Sequence, residues 1–306
     1  MKTDTGMNAL TWGLLLLLGL IWGGSFFFAR IAVHDVPPFT LVFLRLSLAA
    51  VALHLYMAGR LDIYRLLRLH WRQFLFLGLI NNAVPHALIF LGETEIGAGL
   101  ASVLNATTPI WTVIIARYLT EDEKPTAAKL VGCLVGLAGT IVLVGPGIMV
   151  TNGVPFWALL VPILAAVSYG FAAIYSKRFK GIPAPIIATG QLTGSSIIML
   201  PVSLIVDRPW TLAMPPLGSI TAIIALALLS TAFAYILYFR IMALAGATNA
   251  SLVTLLVPPG AILLGVVFLG ERLEPTDIAG MLLIAIGLLI LDGRLFARLR
   301  PGARPA

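Results

Sequence analysis

The segments Ala98 to Val144 and Ala247 to Leu291 are two versions of one pattern, and this duplication constrains the fold more than any other feature of the chain. Ser102, Asn105 and Pro109 recur at the same spacing, i, i+3, i+7, as Ser251, Thr254 and Pro258. The turn Glu123-Lys124 answers Glu271-Arg272, and Gly132 and Gly139 answer Gly280 and Gly287 after a one-residue slip. At the offset that pairs Ser102 with Ser251, Asn82 meets Thr231, His86 meets Tyr235 and Gly97 meets Gly246. At a nearby offset Trp22-Gly23 meets Tyr169-Gly170, and Pro38 meets Pro185. The chain therefore divides into two copies of one unit, 1–149 and 150–306. Internal repeats in an apolar chain are characteristic of secondary transporters, whose substrate site lies between the copies.

With 59% hydrophobic residues, 11% charged residues and a mean hydropathy of +1.01, the chain cannot cover a water-soluble surface. Ten apolar runs are each long enough to cross a hydrocarbon core: 9–30, 37–58, 73–92, 97–118, 127–146, 154–176, 183–206, 217–240, 247–269 and 276–293. They are continuous rather than alternating, which predicts an all-α integral membrane protein. The first run is too long for a signal peptide and lacks a small-x-small cleavage site, so it is read as a span.

Five spans per copy is an odd number, so the second copy must enter the membrane upside down, giving two inverted five-helix repeats. Of the 20 Lys and Arg residues, 16 fall on the amino-terminal side of this topology. They include Lys2, Arg60 to Arg72, Lys124, Lys129, Lys177, Arg178, Lys180 and the tail Arg294 to Arg304. That asymmetry, rather than nucleic acid, accounts for the net charge of +7, and it predicts that both termini are cytoplasmic. Arg60 to Arg72 reads as a basic amphipathic surface piece against anionic headgroups. Gly145 to Pro155 reads as an uncharged turn linking the halves.

Polar groups inside spans carry the functional signal. Ser102, Asn105 and Pro109, like Ser251, Thr254 and Pro258, place small polar atoms and a broken hydrogen-bond ladder on one helix face. Each proline frees a carbonyl one turn back, Asn105 for Pro109 and Thr254 for Pro258, which makes both prolines hinge candidates. The third span puts Asn82, His86, Ile89 and Glu93 on one face, and its mate puts Thr231, Tyr235, Tyr238 and Met242 there. Arg45, two turns into the second span, must snorkel, pair with Glu93 or meet a substrate carboxylate. Trp22 and Tyr169 sit at matching mid-span positions. Packing glue between helices is the alternative for Ser, Thr and Asn.

No phosphate-cradling loop, metal-ligand spacing or enzymatic constellation is present, so no cofactor or metal is expected. Cys133 stands alone in an apolar helix and reads as a packing residue. Asp35, Glu93 and Glu95 are the nearest approach to the acidic cluster that a membrane-bound lipid-handling enzyme would need. Nothing suggests a channel filter.

The ten spans, the duplicated Pro-bearing fourth span, the turn Leu269-Gly270-Glu271-Arg272 and Ile21-Trp22-Gly23-Gly24-Ser25 resemble the drug/metabolite transporter superfamily, in its ten-helix EamA-type branch. The pattern looks most like the bacterial exporters of aromatic amino acids. The resemblance implies an inner-membrane carrier with a cavity lined by spans 1, 3, 4, 6, 8 and 9 and with spans 5 and 10 peripheral. The site expected on this basis is Trp22, Arg45, Asn82, His86, Ser102, Asn105, Tyr169, Tyr235, Tyr238, Ser251 and Thr254. The expected function is alternating-access export of small metabolites, foremost amino acids with aromatic or large apolar side chains. Another metabolite or a cationic drug-like solute held by cation–π contacts remains open. Membrane lipids and a second copy in a homodimer are the other expected partners. Spans 5 and 10 are each expected to pack on the preceding span of their own half through Gly132 and Gly136.

Overall fold

The computed structural model describes residues 7–59, 61–121, 126–144, 154–269 and 274–292. Among them there is no strand. The first two passes are α1 (Ala9–Val33) and α2 (Pro38–Tyr56). After the short helix α3 (Leu61–Leu69), the third pass joins α4 (Trp71–Gly78) to α5 (Val84–Glu93) through a π-helical turn, Leu79–Ala83. The fourth is split into α6 (Ala98–Asn105) and α7 (Thr108–Leu119), and the fifth is α8 (Ala127–Val144). In the second half, α9 (Phe156–Ser176) and α10 (Ala184–Val202) come first. The eighth pass joins α11 (Leu217–Ala227) to α12 (Ala234–Ala245) through another π turn, Leu228–Phe233. The ninth pairs α13 (Ala247–Ser251) with α14 (Val253–Leu269), and α15 (Pro275–Asp292) is the tenth.

Local chemistry sets these boundaries. Proline lacks a backbone donor and fixes φ near a helical value, so it suits a helix start, and α2, α7, α9, α10, α11 and α15 all begin at or beside one. The side chain of Asn8 caps α1 by accepting from Thr11 N at 2.9 Å. The α3 helix buries Ile63 and exposes Tyr64, Arg65 and Arg68, as an amphipathic surface helix should. Large apolar side chains such as Leu16, Phe27, Leu55, Ile205 and Val267 face outward, whereas Asn81, Asn82, Gln191, Ser195 and Thr231 are buried. That inside-out distribution suits a lipid surround.

Equivalent helices run in opposite directions. On α8 and α15, a Cβ added to Gly132 would lie 2.7 Å from Gly287 O, and one added to Gly139 would lie 2.8 Å from Gly280 O. The residue number rises on one helix as it falls on the other, so the repeat mates are antiparallel and the halves are inverted. The same exchange recurs at the centre, where Gly23 of α1 packs on Gly260 of α14 and its mate, Gly170 of α9, packs on Trp111 and Thr112 of α7.

The expected partners of the fifth and tenth spans need correction. They pack chiefly on each other rather than on the span before them in their own halves. Glycines on both helices permit this, because four Cα hydrogens can approach where four side chains could not. Gly136 does touch the ninth pass, where an added Cβ would meet Leu255 Cδ1 at 2.9 Å. The turns at Glu123-Lys124 and Glu271-Arg272, the link between the halves, Lys2, Arg60 and the tail from Arg294 lie outside the described residues.

At the end of α1, the Ser219 hydroxyl on α11 donates to the Asp35 carboxylate, and His34 Nδ1 lies 3.2 Å from Asp35 Oδ1. The Ser219 bond foremost, then His34, holds the Asp35 carboxyl below its ordinary range. A depressed carboxylate contributes stability above its unfolded pKa and loses it as pH falls through the folded value. Thermal unfolding of the wild type should therefore fall more steeply below the ordinary carboxylate range than that of Ser219→Ala. Parallel profiles would remove this contact from the pH response.

Candidate functional site

The two halves meet around a central cavity of about 70 Å³. Each half supplies part of the wall. From the first come Trp22, Ser25, Phe26 and Ala29 of α1, Arg45 of α2, Asn81 of the π turn, His86, Ile89 and Phe90 of α5, Asn105 of α6 and Thr108 of α7. From the second come Tyr169 of α9, Tyr235 and Tyr238 of α12, Ser251 of α13, and Val253, Thr254 and Val257 of α14.

Arg45 is buried in this wall instead of snorkelling to an interface. Its Nε donates to Thr231 Oγ1 at 2.7 Å, and its Nη2 donates to Ser230 O at 3.4 Å. The guanidinium carbon sits 5.9 Å from the centre of the Phe90 ring. Among the described residues no carboxylate lies within 4.0 Å of it, although Glu93 is near enough to act on it electrostatically. A charge at mid-membrane costs about 2.5–3.5 kcal/mol or more, and two neutral acceptors offset only part of that.

The acceptors exist because of the π turns, which occupy equivalent places in the two repeats: Asn81 and Ser230 each lie one residue before the Asn82/Thr231 pair. Bonding from i to i−5 bypasses a carbonyl that an α-helix would use. Ser230 O is taken up by Trp22 Nε1 at 3.2 Å as well as by Arg45. In the first repeat Pro85 has no N–H to give, and the two carbonyls behind it are served by side chains from the other half. Ser168 Oγ donates to Ile80 O at 2.7 Å, and the Tyr235 hydroxyl donates to Asn81 O at 3.2 Å. Asn81 Nδ2 in turn donates to Gln191 Oε1 at 2.8 Å.

Aromatic rings flank the cation. Trp22 lies 6.1 Å from Tyr235 and 5.6 Å from Tyr238, while His86 lies 6.3 Å from Tyr169 and 6.2 Å from Phe90. Two polar atoms in the wall, His86 Nδ1 and Asn105 Oδ1, are buried and make no hydrogen bond among the described residues. Such atoms are costly unless a solute or water meets them.

The expected residues Trp22, Arg45, His86, Asn105, Tyr169, Tyr235, Tyr238, Ser251 and Thr254 come together in this wall. Asn82 and Ser102 are buried but do not line it. The π turn shifts the register by one residue, so Asn81, five residues before His86, takes the place expected for Asn82. At Ser102 the helix ends three residues later and tightens, with Ala106 N bonding Val103 O and Thr107 N bonding Leu104 O, so the 3.6-residue face does not continue to Pro109. The carbonyl that Pro109 frees, Asn105 O, accepts from Thr108 Oγ1 at 2.7 Å. In the ninth pass the interruption falls at Leu252, and Pro258 lies inside α14. Asn81, Thr108 and Phe90 were missed from the sequence. Pro85 was the available signal for Asn81, since it frees that carbonyl by the rule applied to Pro109.

A second cavity, of about 420 Å³, opens one helical turn further along α12 and back along α13. Phe239, Met242, Thr248 and Asn249 line it, together with Lys129, Lys177 and Lys180. Gly181 (φ +90) and Gly246 (φ +85) shape its rim, at backbone angles that a side chain would strain.

The sequence profile of the EamA-like transporter family matches this chain twice, over residues 10–145 and 156–291. The chain belongs to that family. This EamA-like protein is therefore a multi-pass membrane transporter, built from two copies of the family unit. It is 27% identical to the uncharacterized inner membrane transporter YedA of Escherichia coli (strain K12), over 93% of this chain and 92% of that one. It is 26% identical to the uncharacterized transporter YoaV of Bacillus subtilis (strain 168), covering 89% and 92%. A probable terminal-alkyne amino-acid exporter of Streptantibioticus cattleyicolor is 24% identical, over 98% of both chains. A solved crystal structure shares the fold, with a TM-score of 0.76 at 20% identity over 95% of this chain and 99% of that one.

Proposed function

We propose that this EamA-like protein exports small metabolites, chiefly amino acids with aromatic or large apolar side chains, by alternating access through the central cavity. The observation that carries this reading is Arg45, a buried guanidinium without a carboxylate partner within ion-pair distance among the described residues, set among aromatic rings between inverted halves. A solute carboxylate would complete its hydrogen bonding, and Trp22, Tyr169, Tyr235 and Tyr238 would take up the side chain. A relative named as an amino-acid exporter supports the same choice. A cationic drug-like solute is disfavoured because it would sit beside a fixed positive charge. The protein sits in a bacterial cytoplasmic membrane, which a relative named as an inner membrane transporter supports, with both termini inside on the strength of the lysine and arginine bias. Pro109, in the first turn of α7, and Pro258, inside α14, act in the transport cycle as hinges, since each lacks a backbone N–H to brace its helix. Inverted halves of one fold can exchange conformations, so opening to one side is the mirror of opening to the other.

Purified protein in liposomes loaded with unlabelled phenylalanine should accumulate labelled phenylalanine by counterflow at least several-fold over empty vesicles. Neutral apolar amino acids should compete. Absence of counterflow with every aromatic and large apolar amino acid would falsify the substrate class.

A further inference from the structure

Among the described residues, neither cavity lining holds a carboxylate to receive an ammonium group. Among the described residues of the central wall, Arg45 is the one charged side chain and there is no Asp or Glu. Glu93 lies one turn beyond Phe90 on α5 and outside the wall. The second cavity contributes Lys129, Lys177 and Lys180, from α8 and from the turn after α9, and again no Asp or Glu among the described residues that line it. The two spaces are stacked on the same helices, with Tyr235 and Tyr238 of α12 facing the first and Phe239 and Met242 facing the second. A solute moving between them passes from a lysine-rimmed vestibule to a buried guanidinium and meets no fixed anion among the described residues of either lining.

Building on the transport reading above, we infer that the recognised species is an organic monoanion, a carboxylate on an aromatic or large apolar body, and that the α-ammonium group is dispensable. The carboxylate pairs with Arg45, whose guanidinium presents donors beyond those used by Thr231 and Ser230. The body lies against Trp22, Tyr235 and Tyr238. The lysine vestibule concentrates anions before they reach the cavity, because charges of one sign in a low-dielectric recess focus the field on a diffusing solute. Deaminated, 2-oxo and N-acylated relatives of the aromatic amino acids belong to this class, since each keeps the carboxylate and the ring and lacks the cation. An amine without a carboxylate does not.

The test is equilibrium dialysis of the purified full chain against labelled phenylpropionate, phenylalanine and phenethylamine. These share the ring and differ only in their charged groups. Phenylpropionate should bind at least as tightly as phenylalanine, and phenethylamine at least about tenfold more weakly than either. Tight binding of phenylalanine with phenylpropionate tenfold weaker would overturn this inference and leave amino-acid export standing. Binding of none of the three would remove both. For the vestibule, the triple variant Lys129→Gln, Lys177→Gln, Lys180→Gln should slow phenylpropionate counterflow, measured against protein-free vesicles, by about tenfold at low salt and much less at physiological salt. Dialysis should show its cavity affinity unchanged. An unaltered rate at low salt would overturn the role of the lysines.

Discussion

Arg45→Gln is expected to abolish measurable carboxylate transport while leaving a folded, monodisperse protein. The glutamine can still reach Thr231 or Ser230 with one amide, so the tie between the second and eighth passes survives in part, but the cation facing the cavity is gone. Removing one partner of a buried, hydrogen-bonded charge pair costs about 2–5 kcal/mol in binding. At 1.4 kcal/mol per decade, that is a loss of affinity from about 30-fold to several thousand-fold. Arg45→Lys keeps the charge but has no planar fork with which to bond Thr231, Ser230 and a carboxylate together, so it should retain only a fraction of transport. The contrast separates two roles. If Arg45 served only to brace α2 against the π turn of the eighth pass, both variants would lose thermal stability and keep their substrate affinity.

The second large effect concerns the seam between α8 and α15. A Cβ on Gly287 would stand 2.6 Å from Gly136 N and 2.7 Å from Gly132 O, and both are backbone atoms that cannot turn aside. A Cβ on Gly136 would instead meet the tip of the Leu255 side chain at 2.9 Å, which can rotate away. Gly287→Ala should therefore reduce the yield of folded protein severely, by more than the usual overpacking cost of about 1–3 kcal/mol. Gly136→Ala should be tolerated with a small drop in melting temperature. Fluorescence-detected size exclusion of both variants would decide this, and equal behaviour would mean the helices can separate at little cost. Because the seam joins the two repeats, its failure should appear as loss of assembly rather than as altered substrate choice.

Arg45 was legible before any fold was known, because a guanidinium two turns inside an apolar run is costly wherever that run ends up. Its options were legible too, but not the choice among them. Thr231 and Ser230 come from a pass 186 and 185 residues away in the chain, and nothing in either segment names the other as its neighbour. The glycines of α8 and α15 behaved similarly. Their spacing announced a close helix contact, yet small residues specify how near a partner may come and not which partner it is.

The sequence by itself determined the number of spans, the duplication and, through the odd count per copy, the inversion. These follow from hydrocarbon thickness and from parity, and no long-range contact can change them. Only the tertiary structure decided that Asn81 faces the cavity and Asn82 does not. A π turn differs from an α turn by a single skipped bond within the same apolar stretch, and it persists here because partners across the molecule satisfy the bypassed carbonyls: Tyr235 and Ser168 in one repeat, Trp22 and Arg45 in the other. Local preference at those positions is too weak to choose between the two geometries, so the choice belongs to residues that meet only when both halves have folded together.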